Sequence, residues 1–88
     1  MNIKEAVNYF SSHRAAIYTP SKETYDALME ELELQRYRWS NGDNPTRLPM
    51  AYTVEDGNIC VSIGPRGLLF SNKSEYIKDE YEIVEVNL

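Results

Sequence analysis

One histidine, His13, and one cysteine, Cys60, are the chain's whole supply of the two residue types that most often act as general bases, thiol nucleophiles and soft metal ligands. No zinc-type spacing joins them, so a metal would have to gather carboxylates from distant segments. We read His13 as a surface or helix-capping residue, and Cys60, on an expected central strand, as a small buried apolar group. With a single histidine, Asp56 and scattered serines do not make a Ser-His-Asp triad, and no Gly-x-Ser-x-Gly segment is present. Gly64-Pro65-Arg66-Gly67 could cradle an anion with Arg66 at its tip. It lacks the Gly-x-x-x-x-Gly-Lys form and opens no helix, so a hairpin turn is the better reading. The expectation is a protein that is not an enzyme and holds no cofactor or metal.

Two other groups of residues could carry binding. The first is acidic: Glu30, Glu31 and Glu33 in one segment, and Asp79, Glu80, Glu82 and Glu85 in another. Acid–base catalysis would need a pocket that separates carboxyl pKa values, and nothing in the pattern supplies one. Acting together across one surface, these carboxylates would instead imitate a row of phosphates and dock into a basic groove. The second group is QRYRWSNGD, residues 35–43, where Tyr37 and Trp39 alternate with Arg36 and Arg38. Period two puts both aromatics on one face and both arginines on the other. The favoured reading is a core strand followed by a wide loop. The alternative is a ligand site in which Tyr37 or Trp39 stacks on a base while Arg36, Arg38, Arg47 or Arg66 holds phosphate.

The elements that must position these groups follow from periodicity. Ile3, Ala6, Val7 and Phe10 fall at i, i+3, i+4, i+7 and predict a short N-terminal helix ending near Ser11-Ser12. AAIYT, residues 15–19, reads as a strand. Pro20 breaks it, Ser21 is placed to cap the next helix, and Glu23 favours its first turn. Tyr25, Leu28, Met29 and Leu32 repeat the same spacing, which predicts the main helix over residues 22–34 with an acidic outer face. A strand is expected at about 50–54, a tight turn at Asp56-Gly57, and returning strands at ICVSI, residues 59–63, and LLFS. The polar run 72–80 has room for a helical turn, and YEIVEV, residues 81–86, predicts a last strand with apolar groups on both faces. Segregated helices and hairpin-linked strands indicate α+β. The simplest architecture is one domain over residues 1–88: an antiparallel sheet of four to six strands, with helix 22–34 on one face.

The run YTPSKETYDALMEELELQRYRWSNGD, residues 18–43, resembles a pattern found in small bacteriophage and prophage proteins. Those chains carry a capped Tyr-x-x-Leu helix, a tight turn, a Tyr-x-Trp-x-Ser-Gly segment and a hairpin-rich tail with a Tyr-Glu-Ile-like strand. Two departures stand out: Gln35-Arg36 replaces the usual glycine of the turn, and Asn41 separates Ser40 from Gly42. Arg36 must then take a left-handed conformation, or the turn must be rebuilt. The resemblance implies a counter-defence setting, in which small phage proteins disable host machinery such as CRISPR effectors or sequester nucleotide signals.

Totals narrow the partners. Nine Lys+Arg against fourteen Asp+Glu give a net charge of −5, which disfavours direct nucleic-acid binding. No apolar run is long enough to span a bilayer, and no secretory leader is evident, so the bacterial cytoplasm is the expected location. The leading expectation is an inhibitor that binds a host or defence protein through its acidic surface. The second is a homo-oligomeric sponge that traps a nucleotide or other small anionic signal between subunits.

Overall fold

The computed structural model describes residues 1–47 and 59–86. The strand expected at 50–54 and its Asp56-Gly57 turn lie outside the described residues. Helix α1 runs Ile3–Phe10, strand β1 Ala15–Thr19 and helix α2 Lys22–Leu34. A short 3-10 turn follows at Pro45–Arg47, then β2 at Ile59–Gly64 and β3 at Gly67–Asn72. Helix α3, Lys73–Lys78, and strand β4, Glu82–Glu85, complete the fold. This is a small α+β domain with one four-stranded sheet, ordered β3-β2-β1-β4, among the described residues.

Local chemistry explains the helix starts. Asn2 accepts from the Glu5 amide while the Glu5 carboxylate accepts from the Asn2 amide, a reciprocal cap that opens α1. Ser21 and Thr24 make the same exchange at α2. Asn72 accepts from the Glu75 amide and starts α3 directly from the end of β3.

The helix ends are less ordinary. After α2, the Tyr37 amide donates to the Leu32 carbonyl and the Arg36 amide to that of Glu33. Arg36 itself has φ 68. After α3, Tyr81 donates to Tyr76 and Glu80 to Ile77, with Glu80 at φ 64. Both ends are Schellman closures in which a charged residue takes the left-handed position that glycine fills at least cost.

The main core lies on one face of the sheet. Ala6, Val7 and Phe10 of α1 and Tyr25, Leu28, Met29 and Leu32 of α2 bury against Ile17, Ile59, Val61, Val84 and Val86. Both periodic stripes read from the sequence point inward, as their spacing requires. A smaller cluster occupies the other face, where α3 lays Tyr76 over Ala16 and Cys60 with Tyr18, Tyr81 and Ile83 around it. The Tyr76 hydroxyl and the buried Ser62 hydroxyl share a 2.8 Å hydrogen bond.

Three expectations need correction. The sheet is mixed: β1 pairs antiparallel with β2 but parallel with β4. A parallel partner needs a long crossover, and α3 with its flanking turns supplies it between β3 and β4. The expected helices, 22–34 and the short N-terminal one, lie on one face, and the second face is covered as well, by α3. Finally, residues 36–40 do not form a strand. The left-handed turn at Arg36 and the turn at Ser40-Asn41-Gly42 leave room for one parallel bridge, Trp39 to Leu68.

Candidate interaction surfaces

Helical geometry places Asp26, Glu30, Glu33 and Leu34 at i, i+4, i+7 and i+8, on a single stripe of α2 turned away from the core. The chain comes back past this stripe at the 3-10 turn, held there by the Thr46 hydroxyl, which donates to the Glu33 carboxylate at 2.6 Å. A cleft of 490 Å³ opens between them, lined by Glu30, Glu33, Leu34, Arg36 and Thr46. A second cleft of 230 Å³ continues it through Asp26, Met29 and Pro45. Leu34 is 78% exposed, an apolar side chain set among carboxylates. Asp26 is partly neutralised by Lys22 at 2.8 Å.

The seven carboxylates singled out from the sequence do not form one row. Glu30 and Glu33 line the α2 cleft, whereas Glu31 lies off that stripe and accepts from the Gln35 amide group at 2.6 Å. Asp79 and Glu80 close α3, on the opposite face of the sheet. Glu82 accepts a hydrogen bond from the Tyr9 hydroxyl of α1, which keeps the tyrosine proton bound and raises its pKa. Alternation along β4 then turns Glu85 to the α3 side. The acidic character is thus split between two layers; at the α2 cleft carboxylates and the exposed Leu34 line an opening.

The alternative ligand-binding residues are also dispersed. Trp39 is 3% exposed, sits edge-on to Phe70 at 5.5 Å and donates its indole N–H to the Pro45 carbonyl at 3.3 Å. It is core, so it offers no open face for stacking. Tyr37 is half-buried and edge-on to Phe10. Arg38 bonds the Gly42 carbonyl, Arg36 stands at the α2 cleft, Arg47 ends the 3-10 turn, and Arg66 stands at the β2–β3 turn.

His13 stacks on Tyr9 at 3.9 Å, and its Nδ1 lies 2.9 Å from the Tyr9 carbonyl oxygen, a helix-end role. Cys60 is fully buried, and burial pushes its thiol up to about 12, far from the reactive thiolate range. Leu34 lies outside the inward stripe of Tyr25, Leu28, Met29 and Leu32, and its helical phase, two residues after Leu32, already places it on the outer face. Thr46 had no such signal, since only the folded chain brings it to α2. In comparisons with known proteins, no family model, curated protein or solved structure matches the chain.

Proposed function

We propose that this chain is a non-enzymatic inhibitor of the phage counter-defence kind, docking the α2 cleft onto a basic surface of a host or defence protein. The observation that carries this reading is the exposed Leu34 framed by Glu30 and Glu33 beside an open cleft. A partner lysine or arginine would lay its aliphatic stem on Leu34 and bring its cationic head to the two carboxylates. An apolar anchor within a charged rim is the arrangement that gives interfaces both affinity and a preferred partner. Proteins that handle nucleic acid carry basic channels of the matching sign, and a CRISPR effector is the partner class the sequence resemblance suggests. The remaining carboxylates, Glu31, Asp79, Glu80, Glu82 and Glu85, supply long-range attraction and not contact.

The test is inhibition of DNA cleavage by a purified CRISPR effector, followed across salt concentration, with native mass spectrometry of the mixture. Inhibition that weakens with salt, and that falls at least tenfold in the Glu30→Lys, Glu33→Lys double variant, is expected. Leu34→Ser should also weaken it while the fold persists, because Leu34 contributes nothing to the core. Undiminished inhibition in the double variant would remove the α2 cleft from the mechanism. A homo-oligomer holding a few hundred daltons of extra mass would favour the sponge instead.

A further inference from the structure

Asn41-Gly42 is the one place in the chain where an asparagine precedes glycine; the other asparagines precede Ile, Tyr, Pro, Lys or Leu. Glycine has no side chain to shield its amide nitrogen, so that nitrogen can reach the side-chain carbonyl carbon of the asparagine before it. Asn41 and Gly42 are both exposed. Gly42 has φ 96, with open space where a Cβ would stand. Solvent therefore has access to the pair.

In the folded turn both reacting groups are occupied. The Gly42 amide donates to the Trp39 carbonyl at 2.8 Å. Asn41 Oδ1 accepts from the Asp43 amide at 3.0 Å, and its Nδ2 donates to the Asp43 carboxylate at 3.2 Å. To attack, the Gly42 nitrogen must give up its proton and leave the Trp39 carbonyl, whose oxygen would repel the bared electron pair. The same turn is closed by the Trp39 amide, which donates to the Asp43 carbonyl at 2.9 Å. It is tied to β3 by the Ser40 amide on the Leu68 carbonyl and the Leu68 amide on the Arg38 carbonyl. Attack therefore waits for this bridge to open.

We propose that Asn41 is a site of spontaneous covalent modification, held in check by the bridge that seats Trp39 and converted through a cyclic imide with Gly42 when that bridge opens. The Gly42 nitrogen passes its proton to solvent and bonds to Asn41 Cγ. The Cγ–Nδ2 bond breaks, and its electron pair leaves with a proton from water as ammonia. Water then opens the imide. Breakage at Cγ gives aspartate, and breakage at the Asn41 backbone carbonyl gives isoaspartate, in which the chain runs through the side chain. Neither product fits the turn. Aspartate sets a second carboxylate where Nδ2 donated to Asp43. Isoaspartate adds a methylene to the backbone between Trp39 and Asp43, whose hydrogen bonds depend on that spacing. Modification thus keeps the bridge open and unseats Trp39.

The test follows each asparagine-containing peptide by mass spectrometry after incubation at mildly alkaline pH, in folded protein and in urea, with chromatography to separate aspartate from isoaspartate. Asn41 should convert in the folded parent, at least about tenfold more slowly than in urea. It should convert faster in folded Gly67→Ala, where the added Cβ crowds the Arg38 carbonyl of the bridge. Modified parent protein, separated by anion exchange, should show red-shifted emission from Trp39, the only tryptophan. Equal rates in folded protein and in urea, or no conversion of folded protein over a period that completes it in urea, would overturn the proposal. So would unshifted emission from the modified fraction, or a folded Gly67→Ala no faster than the parent. The rates and emission of the parent decide the matter even where Gly67→Ala unfolds.

Discussion

At the scale of single residues, the second core shows how burial turns reactive side chains into structural ones. Cys60 and Tyr76 sit against the sheet under α3, and burial raises the pKa of each. Ser62 partly opposes the shift at Tyr76 by hydrogen bonding to its hydroxyl. For Cys60 the folded value is about 12 against an ordinary 9.0, so the folded state favours the neutral thiol. That contribution is fully present below pH 9 and is lost as pH rises through the folded value. At pH 10 the unfolded thiol is mostly ionised and the folded one is not, which lowers stability by on the order of 1 kcal/mol. Tyr25, pushed up to about 12 by burial and then by the Asp26 charge, adds to the fall above pH 10. Urea midpoints at pH 7 and pH 10 should therefore differ less in Cys60→Ala than in the parent. Equal falls in both proteins would mean the thiol is not the titrating group.

Among the elements, the informative features are the junctions. Arg36 and Glu80 hold left-handed backbone at the ends of α2 and α3, where glycine would be cheaper. Arg36→Gly should raise stability by about 0.5–1 kcal/mol, read as a higher urea midpoint at unchanged slope. A lower midpoint would show that the arginine side chain offsets its own strain. Gly67 is the opposite case. Its φ is 134, and an added Cβ would come within 2.5 Å of the Arg38 carbonyl oxygen. That carbonyl accepts from Leu68, so the contact cannot open without breaking the bridge that seats Trp39. Gly67→Ala should cost more than about 2 kcal/mol and expose Trp39, visible as a red shift of its emission. An unshifted spectrum with native stability would contradict the close crossing.

For the molecule as a whole, size governs. A chain of 88 residues buries a limited core, and each large side chain carries a sizeable share of the net stability. Leu28 is fully buried where α2 meets the sheet. Leu28→Ala should cost about 2–5 kcal/mol and bring the protein close to its unfolding threshold at ambient temperature. Far-UV circular dichroism and Trp39 emission should then be lost in one transition, because the same core cluster joins α1, α2 and the sheet. Two separated transitions would show that the two faces of the sheet unfold independently. No helix among the described residues is long and apolar enough to cross a membrane.

Much of the local structure was legible in advance. The spacing of Ile3, Ala6, Val7 and Phe10, and of Tyr25, Leu28, Met29 and Leu32, determines two amphipathic helices and their inward faces, because a period near 3.6 leaves no other way to bury those groups. The Ser21 cap and the alternation of Ile59 and Val61 with Cys60 and Ser62 were equally local. The departure at Arg36 was visible as well: without glycine after α2, either Arg36 takes a left-handed conformation or the turn is rebuilt, and the folded chain takes the first course. What required the tertiary structure was pairing over long separations. The polar run 73–78 carries no strong stripe, yet it is the crossover that makes β4 parallel to β1 and buries Tyr76. Trp39 looks like a strand residue by alternation, but its single bridge depends on Gly67 far along the chain. The candidate surfaces belong to the same class: Thr46 reaches Glu33, and Ser40 reaches Leu68, only once the chain has closed on itself. Residue type and period act over a few positions, whereas a cleft or a bridge is a property of segments that meet.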